Sequence, residues 1–247
     1  MYDFYLALGD SMSIDHYPYQ DACNGGFAGR KEIGAASLLF ENEPLLFPDF
    51  GGDDLKTRFA NIGYSNHAVD GATTEHLLTD QRQAELQPFS GKRNLITLTL
   101  GGNDLLLIYT STKLSDTDAL LDAMIALQRR YVRVVQLINK LLPNSKLILT
   151  TVFDPTDGTG VMASDRFFGD KLPIEFLDQF NNFVKKYASE SGALLADVHQ
   201  HFLGHGSNAG SATDFWYFAP SPIEPSYRGA SEIRRVWLNT LSQPGLK

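Results

Sequence analysis

The seven residues "NLITLTL", Asn94 to Leu100, constrain the fold of this chain more than any other stretch. They carry no charge and end at Gly101-Gly102. A run this short and this apolar reads as a strand buried on both faces. Four more runs of the kind recur: "FYLAL" (Phe4 to Leu8), the weaker "RFANI" (Arg58 to Ile62), "KLILTTV" (Lys146 to Val152) and "ALLADV" (Ala193 to Val198). Stretches with helical spacing separate them. Leu120, Leu121, Met124, Leu127, Tyr131, Val134, Val135, Ile138 and Leu141 follow the three-and-four rhythm of one buried face. That spacing predicts a helix from near Asp116, stopped by Pro143. A second is predicted from Pro173 to about Ser191, with Phe176, Phe180, Phe183 and Tyr187 as a core stripe rather than a cofactor box. A third follows Pro225 and turns Ile233, Val236, Trp237 and Leu241 inward. Strand alternating with helix predicts an α/β fold, a parallel sheet covered on both faces. The 247 residues suit a single domain over 1–247.

Charge and cysteine content narrow the partners. The formal charge is −8 with no basic run, which argues against nucleic acid and against an anionic membrane surface. No apolar run approaches the length of a membrane span. Cys23 is the single cysteine, and Met1-Tyr2-Asp3 does not open a signal peptide. A cytoplasmic location is the expectation. The oligomeric state is not legible.

In a parallel sheet the site lies at the carboxyl ends of the strands. The first strand runs into "GDSMSID", Gly9 to Asp15. A serine at the start of a helical turn there points its hydroxyl into the cleft and turns its own N–H toward a developing oxyanion. Taken alone, Ser11 is as readily a helix cap and Asp10 a turn residue. The second loop, "NHAVDGATT", offers the unobstructed N–H of Gly71 and a cap at Thr73 or Thr74. The third, "GGND", holds Asn103, whose amide donates two N–H bonds. Each loop is also ordinary turn chemistry.

Three consecutive strand ends thus present Ser, Gly and Asn in that order. Through "GDS", "DGATT" and "GGND" the chain resembles the SGNH-type hydrolases of the GDSL esterase superfamily, whose name lists Ser, Gly, Asn and His. The resemblance runs from Leu8 to about Trp237. It implies a flavodoxin-like three-layer α/β/α sandwich with a five-stranded parallel sheet. It implies Ser11 as nucleophile of a serine esterase that passes through an acyl-enzyme. The N–H groups of Ser11 and Gly71 and the side chain of Asn103 would form its oxyanion hole. A small-molecule ester is the implied substrate, with a small or carbohydrate-like alcohol, and no cofactor is implied.

The last block departs from that family. Its usual Asp-x-x-His-Pro reads Ser221-Pro222-Ile223-Glu224-Pro225 here, with Gly229 keeping the frame. An ordinary glutamate, with a pKa of about 4.3, is a much weaker base than an imidazole at about 6.5. Burial raises a carboxyl, so a direct Ser11–Glu224 pair is one option. Another base lies in "DVHQHFLGHG", which holds His199, His201 and His205 after the fifth strand. His205 between two glycines is the favoured candidate there, with Glu224 orienting it. The H-x-H-x3-H spacing fits no zinc pattern, so no metal is expected, and a structural role for each histidine carries even weight. His16 is a more distant candidate, and Asp15 a neighbour on the same face as Ser11. The loop "FDPTDGTG", with Asp154 and Asp157, is expected to border the substrate pocket. The altered block also suits a second reading, a catalytically impaired binding protein for an acylated or glycosylated ligand.

Overall fold

The computed structural model describes residues 1–113, 115–162 and 171–242. Strands β1 (Phe4–Gly9), β2 (Gly63–Asn66), β3 (Asn94–Thr99), β4 (Ser145–Thr150) and β5 (Leu194–Ala196) pair in parallel in the order β2-β1-β3-β4-β5. Side chains alternate across the sheet, as the period of a strand requires. Leu6, Leu8, Ile96, Leu98, Leu147 and Leu149 pack into one core layer. Tyr5, Ala7, Leu95 and Ile148 pack into the other. Helices α1 (His16–Asn24), α2 (Ala35–Phe40), α3 (Leu55–Arg58), α9 (Val198–Phe202) and α10 (Tyr227–Leu241) cover the second layer. Helices α4 (Thr74–Leu77), α5 (Asp80–Leu86), α6 (Gly102–Ser111), α7 (Thr117–Leu141) and α8 (Ile174–Ser191) cover the first. This is the expected three-layer α/β/α sandwich.

The long helices start and stop where local chemistry dictates. Asp116 accepts the Ala119 N–H at 3.1 Å and caps α7, which buries Leu120, Met124, Leu127, Tyr131, Val134, Val135 and Ile138. Helix α8 begins after Pro173 and ends at Gly192, whose φ of 72° is the left-handed C-terminal turn. Ser226 Oγ accepts the Gly229 N–H at 3.0 Å and caps α10.

The second strand is not "RFANI". Asp54 accepts the Thr57 N–H at 2.7 Å and starts α3 over Leu55–Arg58. Asn61 then takes a φ of 67°, which breaks any extended run through it. The strand is the polar "GYSN" that follows, at the sheet edge, in register with Phe4 to Ala7. An edge strand needs little apolar surface, and Tyr64 supplies it by stacking on Tyr5 at 5.3 Å. Strand β5 is also shorter than "ALLADV", because Asp197 caps α9 directly after it.

Strand β1 sits between β2 and β3; the chain leaves β1 toward β2 on one side and leaves β3 toward β4 on the other. The crevice at the carboxyl ends of β1 and β3 is therefore the topological switch point. After α9 the chain returns as an antiparallel hairpin, β6 (Tyr217–Phe218) and β7 (Ser221–Pro225), which packs β7 against the Ser11–Ser13 turn.

Candidate active site

The end of β1 is built around a glycine. Gly9 has a φ of 132°, and a Cβ there would lie 1.9 Å from the Thr99 carbonyl oxygen of β3. Only glycine lets the two strands close so tightly. The next residue, Asp10, donates its N–H to Thr99 Oγ1 at 3.2 Å. Its carboxylate accepts the Met12 N–H at 3.2 Å and caps a single 3-10 turn over Ser11–Ser13. Thr99 Oγ1 also meets Ser13 Oγ at 3.0 Å, so one β3 threonine holds the whole turn. Ser11 is buried within this turn, and its N–H is bonded to no described residue.

At the end of β3, Gly101 takes a φ of 115° against the ring of Phe180, and α6 starts at Gly102. Asn103 Nδ2 donates to the Ala72 carbonyl at 3.0 Å. One amide hydrogen is thereby used and the other stays available. Asp104 straps the "DGATT" loop onto α6. It accepts the Thr74 N–H at 2.9 Å, the Thr74 hydroxyl at 2.6 Å and Arg130 Nη2 at 3.3 Å. Arg130 Nε closes the triangle on Thr74 Oγ1 at 3.0 Å. Gly71, with a φ of 69°, stands one residue before the Ala72 that Asn103 holds, and its N–H is bonded to no described residue.

Glu224 enters from the β7 hairpin. It is 6% exposed, and its Oε2 has no hydrogen-bond partner among the described residues. Burial pushes its carboxyl up to about 8; the nearby Ser11 hydroxyl opposes the rise, and the charges of Asp70 and Asp10 add to it. Asp10 is likewise raised to about 7 by burial, against the pull of the Met12 N–H and the Thr99 hydroxyl. Ser11, Asn103 and Glu224 line one cleft. Its far wall is apolar, made by Leu105, Leu106, Tyr109, Val152, Leu172 and Leu177. Asp10 was legible only as a turn residue. The Thr74–Asp104–Arg130 strap had no sequence signal beyond the last letter of "GGND".

The histidines lie elsewhere. The His205 ring stacks on Trp216 at 3.4 Å with a 5° interplanar angle, and its Nδ1 lies 2.8 Å from the Asp214 carbonyl. His201 Nε2 meets Glu232 at 2.8 Å. His199 donates its N–H to Thr151 Oγ1 at 2.9 Å, and its Nε2 stands 3.8 Å from Asp178. His16 Nε2 meets the Gln20 side chain at 3.2 Å. None of the four lines the cleft. Among the described residues no three His, Cys, Asp or Glu side chains converge as a metal site. Asp15 accepts the Gly34 N–H at 2.7 Å and does not line the cleft. Phe153, Asp154 and Pro155 do border the cleft, as expected. Asp154, though, spends its carboxylate on the N–H groups of Thr156 and Gly158 and the Thr156 hydroxyl. Asp157 holds the N–H groups of Gly204, Gly206 and Asn208. Both act as loop fasteners.

The crevice therefore joins a buried serine, a free amide hydrogen and a raised carboxyl, with the Gly71 loop tied to Asn103 through Ala72. A model of the GDSL-like lipase/acylhydrolase family matches residues 7–229. No curated protein matches the chain. Several solved structures share the fold. A lipase from a goat rumen metagenome is 18% identical, covers 99% of each chain and has a TM-score of 0.63. An acetylxylan esterase of Geobacillus stearothermophilus is 17% identical, over 99% of this chain and 96% of its own, with a TM-score of 0.61. An extracellular lipase of Streptomyces rimosus is 21% identical, over 96% and 97%, with a TM-score of 0.60. No described helix is long and apolar enough to cross a membrane.

Proposed function

The chain belongs to the GDSL-like lipase/acylhydrolase family and is a carboxylic ester hydrolase, and within that class we propose that Ser11 is the nucleophile and Glu224 its direct base. The observation that carries this reading is Glu224 itself: a buried carboxyl beside Ser11, with an unpartnered oxygen and a pKa near 8. A base of that strength recovers most of what the absent imidazole would supply. A carboxylate also has no tautomer to fix, so the third member that orients an imidazole is not needed.

In the forward step the Ser11 Oγ–H proton passes to Glu224 as Oγ bonds to the ester carbonyl carbon. The carbonyl oxygen becomes an oxyanion, met by the N–H groups of Ser11 and Gly71 and the free Asn103 hydrogen. The C–O bond to the alcohol then breaks, and Glu224 returns the proton to the leaving oxygen. Water attacks the acyl-enzyme with Glu224 again accepting the proton, which finally restores the Ser11 hydroxyl. The apolar wall suits the acyl group, and the open side suits a small or carbohydrate-like alcohol.

A fluorophosphonate probe tests the reading: it labels Ser11, found by peptide mass spectrometry, and no other serine. A folded protein with no label at Ser11 overturns it in favour of a binding protein with an acylated or glycosylated ligand. Asn103→Ala is expected to lower kcat by about 10²–10³ with little change in KM. Steady-state kinetics on a p-nitrophenyl ester read that split.

A further inference from the structure

One buried polar network stands behind the cleft rather than in it. Thr74 is fully buried and donates both its N–H and its hydroxyl to Asp104, at 2.9 and 2.6 Å. Arg130 reaches in from α7, with Nε on Thr74 Oγ1 at 3.0 Å and Nη2 on Asp104 Oδ1 at 3.3 Å. The Asp104 side chain is 2% exposed and that of Arg130 25%, so solvent screens the pair little. Arg130 does not line the cleft, and its helix is anchored in the core by Leu127, Tyr131 and Val134. Apolar side chains would hold α4 against α7 as firmly. What the guanidinium adds is direction, since its fork bonds a hydroxyl and a carboxylate at once. Bonds lead from this network to the cleft. Asp104 follows Asn103, which lines the cleft with Ser11 and donates its Nδ2 to the Ala72 carbonyl at 3.0 Å. Helix α6 and the loop are thus tied side by side, Asn103 to Ala72 and Asp104 to Thr74. The Ala72 carbonyl sets the plane of the Asn103 amide, and so the direction of its second hydrogen. The residue before Ala72 gives no hold: Gly71 is exposed, and a Cβ there would meet nothing within 4 Å. The placement of the loop therefore rests on Thr74 and on the Val69 N–H, bonded to the Gly9 carbonyl at 2.9 Å.

We propose that Arg130, outside the cleft, is a positioning residue for ester hydrolysis: through Thr74 and Asp104 it holds Ala72, and Ala72 aims the free Asn103 hydrogen at the oxyanion. This rests on the reading of Asn103 as an oxyanion donor. The oxyanion exists only in the tetrahedral state, so a misaimed donor lowers kcat and leaves KM alone. Two substitutions loosen the network without burying an unpaired carboxylate. Arg130→Lys keeps a cation beside Asp104 but loses the fork. Thr74→Val keeps the shape but loses the hydroxyl that Asp104 and Arg130 share. Thr74→Ser keeps that hydroxyl and should rescue.

Inhibition by hexyl trifluoromethyl ketone tests it. Ser11 Oγ adds to the ketone carbon, its proton passes to Glu224, and the carbonyl oxygen becomes an oxyanion facing the same donors. The Ki reads the folded enzyme alone, so a variant that merely loses folded molecules keeps the wild-type value. Thr74→Val and Arg130→Lys should each weaken Ki and lower kcat on p-nitrophenyl butyrate roughly tenfold, with KM little changed; outright loss of a donor costs about 10²–10³. Thr74→Ser should stay close to the wild type in both. Thr74→Val added to Asn103→Ala should weaken Ki by less than about threefold more, because the two changes act on one route. Wild-type Ki in Thr74→Val and Arg130→Lys, with Asn103→Ala weakened, overturns the proposal and spares the oxyanion reading. A full tenfold loss on top of Asn103→Ala also overturns the proposal, since the network would then act by another route. An unchanged Ki in Asn103→Ala overturns the oxyanion reading, and the proposal falls with it.

Discussion

Glu224→Gln is expected to lower kcat by roughly 10³-fold, within the range for loss of a general base. Glutamine keeps the shape and the hydrogen-bonding reach of the side chain but accepts no proton. The wild type should also show an unusual pH profile. With a carboxyl near 8, roughly one molecule in ten is ionised at pH 7, so activity climbs about tenfold toward pH 9. An imidazole base would instead reach its plateau near neutrality, since its pKa is about 6.5. The same substitution carries a stability signature. Folding raises the Glu224 carboxyl from an ordinary 4.5 to about 8. The stability linked to its proton is therefore complete below pH 4.5 and lost as the pH rises through 8. Glutamine cannot lose that proton. Glu224→Gln should match the wild type in Tm near pH 5 and exceed it at pH 9 by roughly 5 °C or more. Differential scanning fluorimetry at the two pH values reads the difference. A variant less active yet more stable only at high pH is the mark of a strained base; equal Tm at both contradicts the burial of an ionisable Glu224.

Ser11→Ala should remove more than about 10⁴-fold of kcat, since no covalent path remains once the nucleophile is gone. The residual rate would come from the oxyanion donors and the cleft alone. The fold should survive, because the Ser11 side chain makes none of the bonds that hold its turn. Asp10 caps that turn, and Thr99 pins it from β3. Ser11→Ala combined with Glu224→Gln should then cost little more than Ser11→Ala alone, as two members of one proton-transfer unit do. Additive losses would mean that Glu224 acts on the substrate by some other route.

Much of this was readable in the chain. Four of the five strands lie in the expected runs, because a strand buried on both faces must be apolar and must end in turn residues. Strand β2 was missed because an edge strand escapes that demand: Tyr64 alone carries its packing, and its other positions are Gly63, Ser65 and Asn66. The β6–β7 hairpin was missed for a similar reason. Two short strands covering a cleft leave no periodicity to detect. Of the proposed site, Ser11, Gly71 and Asn103 could be singled out in the chain because glycine-bounded loops after strands carry local signals. The weighing of Glu224 against His205 could not be settled by spacing. Both follow β5 in the chain, and only the hairpin decides which one returns over Ser11. Trp216, which stacks on His205, holds that ring elsewhere. Asp10 and Asp70 were illegible as electrostatic neighbours of Glu224, since they come from separate elements that meet only in space.

The most direct test of Glu224 as the base is the pH dependence of Ser11 labelling by a fluorophosphonate, followed in wild type, Glu224→Gln and His205→Ala. The expected rate in the wild type rises with a midpoint near 8, is unchanged in His205→Ala, and is slow and flat in Glu224→Gln. A midpoint near the imidazole value of about 6.5 that vanishes in His205→Ala, with Glu224→Gln still labelled at full speed, would contradict the account and return the base to a histidine.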